Sequence, residues 1–594
     1  MKNLKYIVGL LILAIVSCTT PLTEEEKNSD SVLLKQVHEF TLNDDGSVDY
    51  HYYHRRLYNT NMSFHRLYGE TFVVYNPDYQ TLTVSKSQTT MADGKKVQSP
   101  QNAFNEVLPF QAADAPAYNN LREMVITHVG LEIGAVVELD YTIHSVAGFI
   151  PVFSSNIILN ESSPIKELEV VVKVPKGHQF NHEIINASSD IKLKKKTKGN
   201  FDVFQWEAKN VAPISNEPLQ VEGMADYIQL MFSEADLSQT FELLRKSFTK
   251  EFDFDQSMEK LFANDQKGWD KIEGIRKYVV TNINTYRVMP KHAGYTFRSP
   301  KQVWQSNGGT EGEKVILLAA LLNNAGLKSQ PAFGAYPHFV NKSIGCISAF
   351  DKYYVAVEYE GETRFISAID NNSPSLSSRM VISFNDVIDS IIIEPIKKPD
   401  MRMSLNSTLQ MDKKGVVSGT GTLHFSHFDK DKGLIIGIPE STIKSKELFQ
   451  SIDSTVYSVK FIGLKANEIG NYYSFSLPSI SQGIELAKID GLPTKRITRL
   501  ELPGRINEEY HFVASIPNGY VFVTPVYNQS VENEFGSVLI RHEVLDNGEL
   551  KVYRHLSLND CIVSVENYGA FKELMNIWMD GYMKRFFVKP NNKK

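Results

Sequence analysis

Cysteine is nearly absent from this chain: 594 residues hold only Cys18, Cys346 and Cys561. With two of the three more than two hundred residues apart in the body of the chain, no disulfide framework is expected. Paired CxxC and HExxH spacings are also missing, so no zinc or metalloprotease site is expected. Basic excess is lacking as well. Lys and Arg number 63 against 69 Asp and Glu, a net charge of -6, which excludes the electrostatic footprint of a nucleic-acid binder. Long apolar runs are wanting too: Tyr6 to Val16 falls short of the roughly 20 residues that span a bilayer. What is there is ordinary globular material. A hydrophobic content of 42% suffices for more than one core, and the length implies several domains.

The first residues read as a targeting segment. Lys2 and Lys5 precede the apolar run, and Ser17 and Cys18 follow it. This order resembles the lipobox of bacterial lipoproteins. The resemblance implies a signal peptide over 1–17, cleavage before Cys18 and a diacylglycerol on its sulfur, with an ordinary secretory signal as the alternative. Residues 18–30 then read as a flexible tether. The address implied is the cell envelope, at the outer membrane, facing the periplasm or the exterior.

Three regions follow, which together predict a multidomain α+β chain. Residues 31–230 are β-textured, with strands expected at Val136 to Ile143 and Leu168 to Val174 and turns at Asn43 to Gly46 and Asp93-Gly94. Short strands at such spacing suggest a β-sandwich-like domain. Residues 240–380 change texture. Trp269 to Val280 and Lys314 to Ala325 carry helical periodicity, and the second helix is apolar nearly all round. Lys352 to Glu358 and Glu362 to Ile369 read as paired strands around Glu360-Gly361. Residues 395–594 are β-rich again, with a strand at Val416 to Phe425 and a terminal helix over Tyr568 to Phe587.

Two family resemblances sharpen this reading. Asp45-Gly46-Ser47, Asp93-Gly94-Lys95, the run Leu121 to Val129 and Gly134 to Glu138 resemble an uncharacterised domain that precedes transglutaminase-like cores in envelope proteins. Phe297 to Leu327 resembles the nucleophile segment of the transglutaminase-like superfamily itself, a papain-like α+β fold. Ser299, Pro300, Val303 and Trp304 match its lead-in, and Lys314 and Leu317 to Leu327 match its helix. That superfamily uses a Cys thiolate, a His that accepts its proton and an Asp that orients the His. Matching positions here hold Glu311, Lys352 and Ser367. A slip of one residue offers only Thr310 or Gly312.

The resemblance therefore implies the scaffold without its chemistry. Glu311 and Lys352 replace a thiolate–imidazolium pair by a carboxylate and an ammonium, and a salt bridge within about 4 Å is expected. Trp304, Glu311 and Lys352 are candidate cleft-lining residues, and no cofactor is implied. Asp370 stands near the lost Asp, and a relocated Cys346–His338 pair is the strongest substitute dyad; His292 is expected in a loop. His51 and His54 read as structural. The function expected is a lipid-anchored, non-catalytic protein binding a peptide, glycan or protein partner. The alternative is a transglutaminase-like cysteine protease or acyltransferase with an unrecognised nucleophile.

Overall fold

The computed structural model describes residues 22–187, 190–248, 267–369, 379–385, 390–395, 400–426, 433–450, 454–484 and 489–591. Cys18 and Asp370 lie outside them. The N-terminal unit is built on an eight-stranded sheet in which Ser31–Leu42 pairs antiparallel with Val48–Tyr58 and parallel with Ile165–Pro175. Alternation decides its inner face: Leu168, Val170, Val172 and Val174 all point into the core. Two separate three-stranded sheets cover that face. Ser154–Ile158, Asn181–Ile185 and Gln229–Ser233 form one, packed through Leu230 and Phe232, and Glu70–Tyr75, Phe104–Val107 and Arg122–Thr127 form the other. The layer is sandwich-like with its second sheet split, and Gln229–Ser233 carries the unit past residue 230.

In the central unit, the helices Gly268–Asn282 and Glu311–Asn324 pack with Leu237–Phe248 on a five-stranded sheet. The helix Glu311–Asn324 is buried nearly all round, as its composition requires. The strand Ser329–Ala335 is central in the sheet, flanked by Phe350–Tyr359 and Met380–Asn385. Pairing of Met380–Asn385 with Ser390–Pro395 extends this unit beyond residue 380.

The C-terminal unit holds a second eight-stranded sheet, with Asp400–Met411 running parallel to Arg505–Ser515. Its terminal helix is shorter than the periodicity predicts. It spans Tyr568–Trp578 and buries Phe571, Leu574, Met575 and Trp578. The chain then turns, Tyr582 is 72% exposed, and Arg585–Pro590 becomes a strand paired with Tyr472–Ser476 and Tyr520–Phe522. Backbone pairing to two neighbours outweighs the helical pattern there.

The expected tether is also corrected. From Thr23 the chain forms a capped helix, Glu24–Asn28, whose Glu26 is buried and paired with Lys166 at 3.1 Å. Residues 217–226 join the three units. Arg379 clasps Asp351 (3.0 Å) and Glu222 (3.0 Å), while Arg499 pairs with Asp226 (2.6 Å) and Arg496 donates to the Pro218 carbonyl (2.7 Å).

Burial in the N-terminal unit has a pH consequence. His38 and His128 are 9% and 5% exposed, and burial pushes each down to about 4. The unfolded chain takes up these protons near pH 6.5 and the folded chain only near 4, so stability is full above 6.5 and falls as pH drops through that window. Each histidine accounts for on the order of 3 kcal/mol. Denaturant midpoints measured between pH 7 and 4.5 are expected to fall, and His128→Asn is expected to flatten the slope.

Candidate functional site

Glu311 opens the helix Glu311–Asn324, and the reason the helix starts there is local. The strand Gly308–Thr310 runs parallel to Asn284–Tyr286, and Thr310 then caps the helix. Its backbone N–H donates to Glu313 Oε2 (2.9 Å), and the Glu313 N–H donates back to the Thr310 hydroxyl (3.4 Å). Two glycines are required by close packing. A Cβ on Gly309 would lie 2.9 Å from Val303 and 3.1 Å from Glu313, and one on Gly312 would lie 2.6 Å from Phe297.

Glu313 is fully buried, and it is the residue that the sequence reading passed over. Its carboxylate accepts from Tyr118 Oη (2.6 Å), the Arg298 N–H (3.0 Å), Arg298 Nε (3.0 Å), Arg298 Nη2 (3.0 Å) and the Thr310 N–H (2.9 Å). Tyr118 belongs to the N-terminal unit, and burial together with the Glu313 charge pushes its phenol far above the ordinary range. Ala112, Ala115 and Leu121 pack beside it on Tyr286 and Val288. Lys314 is equally buried; its ammonium donates to the Ile283 carbonyl (2.7 Å) and to Thr285 Oγ1 (3.0 Å). The Thr-x-x-Glu spacing of Thr310 and Glu313 was the available signal.

Held this way, the first helical turn presents Glu311 to the strand Phe350–Tyr359. Glu311 Oε2 lies 3.7 Å from Lys352 Nζ, and Oε1 accepts from the Tyr353 N–H at 3.3 Å. Side-chain exposure is 18% for Glu311 and 35% for Lys352, so the pair borders solvent. The third position, Ser367, is 6% exposed and its Oγ accepts from the Ile369 N–H (3.2 Å). Trp304 does not face the pair in any described contact. It stacks on Tyr278 with ring centroids 5.6 Å apart.

The substitute nucleophiles sit elsewhere. Thr310 is occupied as the helix cap. Cys346 is 1% exposed in a cluster with Met231, Phe339, Ile344 and Ala349, with Sγ 3.2 Å from Ser348 Oγ. Burial pushes its thiol up, away from the thiolate. His338 turns instead to the Gly223 carbonyl (3.2 Å) and stacks on Tyr336. His292 lies in the short turn Pro290–Ala293 and His51 pairs with Asp140. Neither described cysteine is in a disulfide, and among the described residues no group of three His, Cys, Asp or Glu side chains is placed to hold a metal.

The two ion pairs differ in what their loss should cost. Glu313→Gln leaves Arg298 partly unpaired in a buried site and is expected to destabilise the protein by about 3–5 kcal/mol. Lys352→Met opens a pair that borders water and is expected to cost about 0–1 kcal/mol. Equilibrium urea unfolding of both variants checks the contrast.

Residues 44–215 match the Domain of Unknown Function DUF3857, and residues 471–587 match DUF3858. No curated protein matches the chain. The structure is similar to that of a protein from Parabacteroides distasonis described as a "putative protease". The two are 25% identical with a TM-score of 0.76, over 94% of this chain and 99% of that one. A "putative cysteine protease" from Cytophaga hutchinsonii is 10% identical with a TM-score of 0.15, over 36% of this chain and 78% of its own, and carries no weight here. The central unit, with its buried helix leading into the sheet, has a transglutaminase-like fold.

Proposed function

We propose that this protein is a non-catalytic binding or scaffolding component of the bacterial envelope. On this reading it is lipid-anchored through Cys18 at the outer membrane and uses a degenerate transglutaminase-like domain to engage a peptide, glycan or protein partner. The observation that carries the first half is the Glu311–Lys352 pair, 3.7 Å apart where a nucleophile and its base are expected. A carboxylate beside an ammonium can bind polar groups, but it cannot form the thioester through which this chemistry runs. The lipobox-like order Ser17-Cys18 after a short apolar run supports the anchor.

A second reading keeps a protease, supported by the description of the Parabacteroides protein, whose chain is matched over 99% of its length. It needs a nucleophile, and the described thiol nearest the central sheet is Cys346, buried at 1% exposure.

A thiol-directed peptidyl electrophile separates the two. Intact-mass analysis of native protein at pH 7 is expected to show no adduct on Cys346, and Cys346→Ala is expected to leave any amidase signal of the preparation unchanged. Stoichiometric labelling of Cys346 with loss of peptide cleavage in Cys346→Ala would establish the enzyme reading instead.

A further inference from the structure

The described chain begins at one end of the N-terminal unit, and three loops meet there. Asn59 Nδ2 donates to the carbonyls of Glu26 (2.8 Å) and Ser29 (3.0 Å), and Thr60 Oγ1 donates to Asp30 (2.6 Å). The turn 59–69 folds back so that the Tyr58 hydroxyl donates to the Tyr68 carbonyl. The loop 130–134 completes this end. The Gly134 N–H donates to the Tyr58 carbonyl (2.8 Å), and Leu131 Cδ1 lies 3.5 Å from where a Cβ on Gly69 would stand. The helix Glu24–Asn28 is thus fixed to the turn 59–69, which in turn packs on the loop 130–134.

These loops leave apolar side chains in water. Met62 is 68% exposed, Leu67 71% and Ile133 55%. Single exposed apolar residues are normal on a soluble surface, and Phe110 at 75% and Tyr582 at 72% are instances elsewhere on this one. Position distinguishes the three. Four residues separate Cys18 from the helix cap Thr23, five residue steps that span at most roughly 18 Å. An acyl group on Cys18 would therefore hold this end of the molecule, and no other, against the bilayer. Charge on the same loops is mixed. Glu24, Glu25 and Asp30 stand beside Lys27 and Arg66, and Arg66 is already paired with Glu70 at 3.3 Å. There is no basic excess to seek anionic lipid.

We infer that Met62, Leu67 and Ile133 form a membrane-docking end that rests in the interfacial layer of the bilayer holding Cys18. The occupant is the lipid surface, and the contact is apolar, independent of lipid charge. It would fix the orientation of the three domains above the membrane, which a single flexible anchor does not. This inference rests on the lipoprotein reading given above.

The test uses the full acylated protein, with Leu67→Trp in one preparation and the equally exposed Phe110→Trp in another, reconstituted into phosphatidylcholine vesicles. After subtraction of the parent spectrum, the Leu67→Trp emission is expected to shift to the blue and to be quenched by lipids carrying a quencher near the headgroup. Emission from Phe110→Trp is expected to stay water-like. Replacing part of the phosphatidylcholine by phosphatidylglycerol is expected to change neither. A water-like Leu67→Trp spectrum on protein whose Cys18 carries diacylglycerol by mass spectrometry overturns the docking end alone. Shielding without lipid quenching points to a protein partner and also overturns it. Absence of diacylglycerol from Cys18 overturns the anchor reading and the docking end together.

Discussion

The geometry of the candidate site depends on one buried carboxylate. Glu313 has no exposure and would be strongly unfavourable there unpaired. Arg298, Tyr118 and the Thr310 N–H satisfy it through five hydrogen bonds of 2.6–3.0 Å, the condition under which a buried ion pair is tolerated. Three consequences follow. Capping fixes where the helix Glu311–Asn324 begins. The Arg298 contact fixes the preceding lead-in, and Tyr118 fixes the N-terminal unit against the central one. Glu311, two residues before Glu313, is thereby aimed at the strand that carries Lys352.

Around this anchor Glu311 and Lys352 are electrostatically matched. A carboxylate in the first turn of a helix is favoured by the helix dipole, by about 0.3–1 kcal/mol when exposed, and Lys352 supplies a counter-charge at 3.7 Å. Lys352 is flanked by Asp351, which is held by Arg379, and Arg379 lies 3.4 Å from the Tyr336 ring centroid. Arg379 also holds Glu222 of the segment that Arg496 and Arg499 of the C-terminal unit grip. One wall of the site is thus continuous, through ion pairs, with the junction of all three units.

Much of this was legible in the sequence, for physical reasons. The helix Glu311–Asn324 was readable because it is apolar nearly all round, the strands near 136–145 and 165–175 because apolar positions recur along them, and the strand near 350–359 because a short apolar run ends at the turn Glu360-Gly361. Juxtaposition of Glu311 and Lys352 followed from register against a family pattern. Tyr582 misled: helical spacing continued past Trp578, but sheet pairing of Arg585–Pro590 took over. The Glu313–Tyr118 contact joins residues 195 positions apart, and no local pattern encodes that.

The central claim is that the cleft retains the geometry of a Cys–His–Asp machine while its chemistry has been replaced. Restoring the residues tests this most directly, through the pH dependence of iodoacetamide alkylation in Glu311→Cys/Lys352→His/Ser367→Asp. Retained geometry predicts a thiol at position 311 that ionises well below the ordinary value of about 8.5, in the range of His-paired thiolates. A weaker depression is predicted in Glu311→Cys/Lys352→Met, where only the helix N-terminus remains to favour the thiolate. Alkylation following an ordinary free thiol in the triple variant, with the fold intact by circular dichroism, would contradict the account.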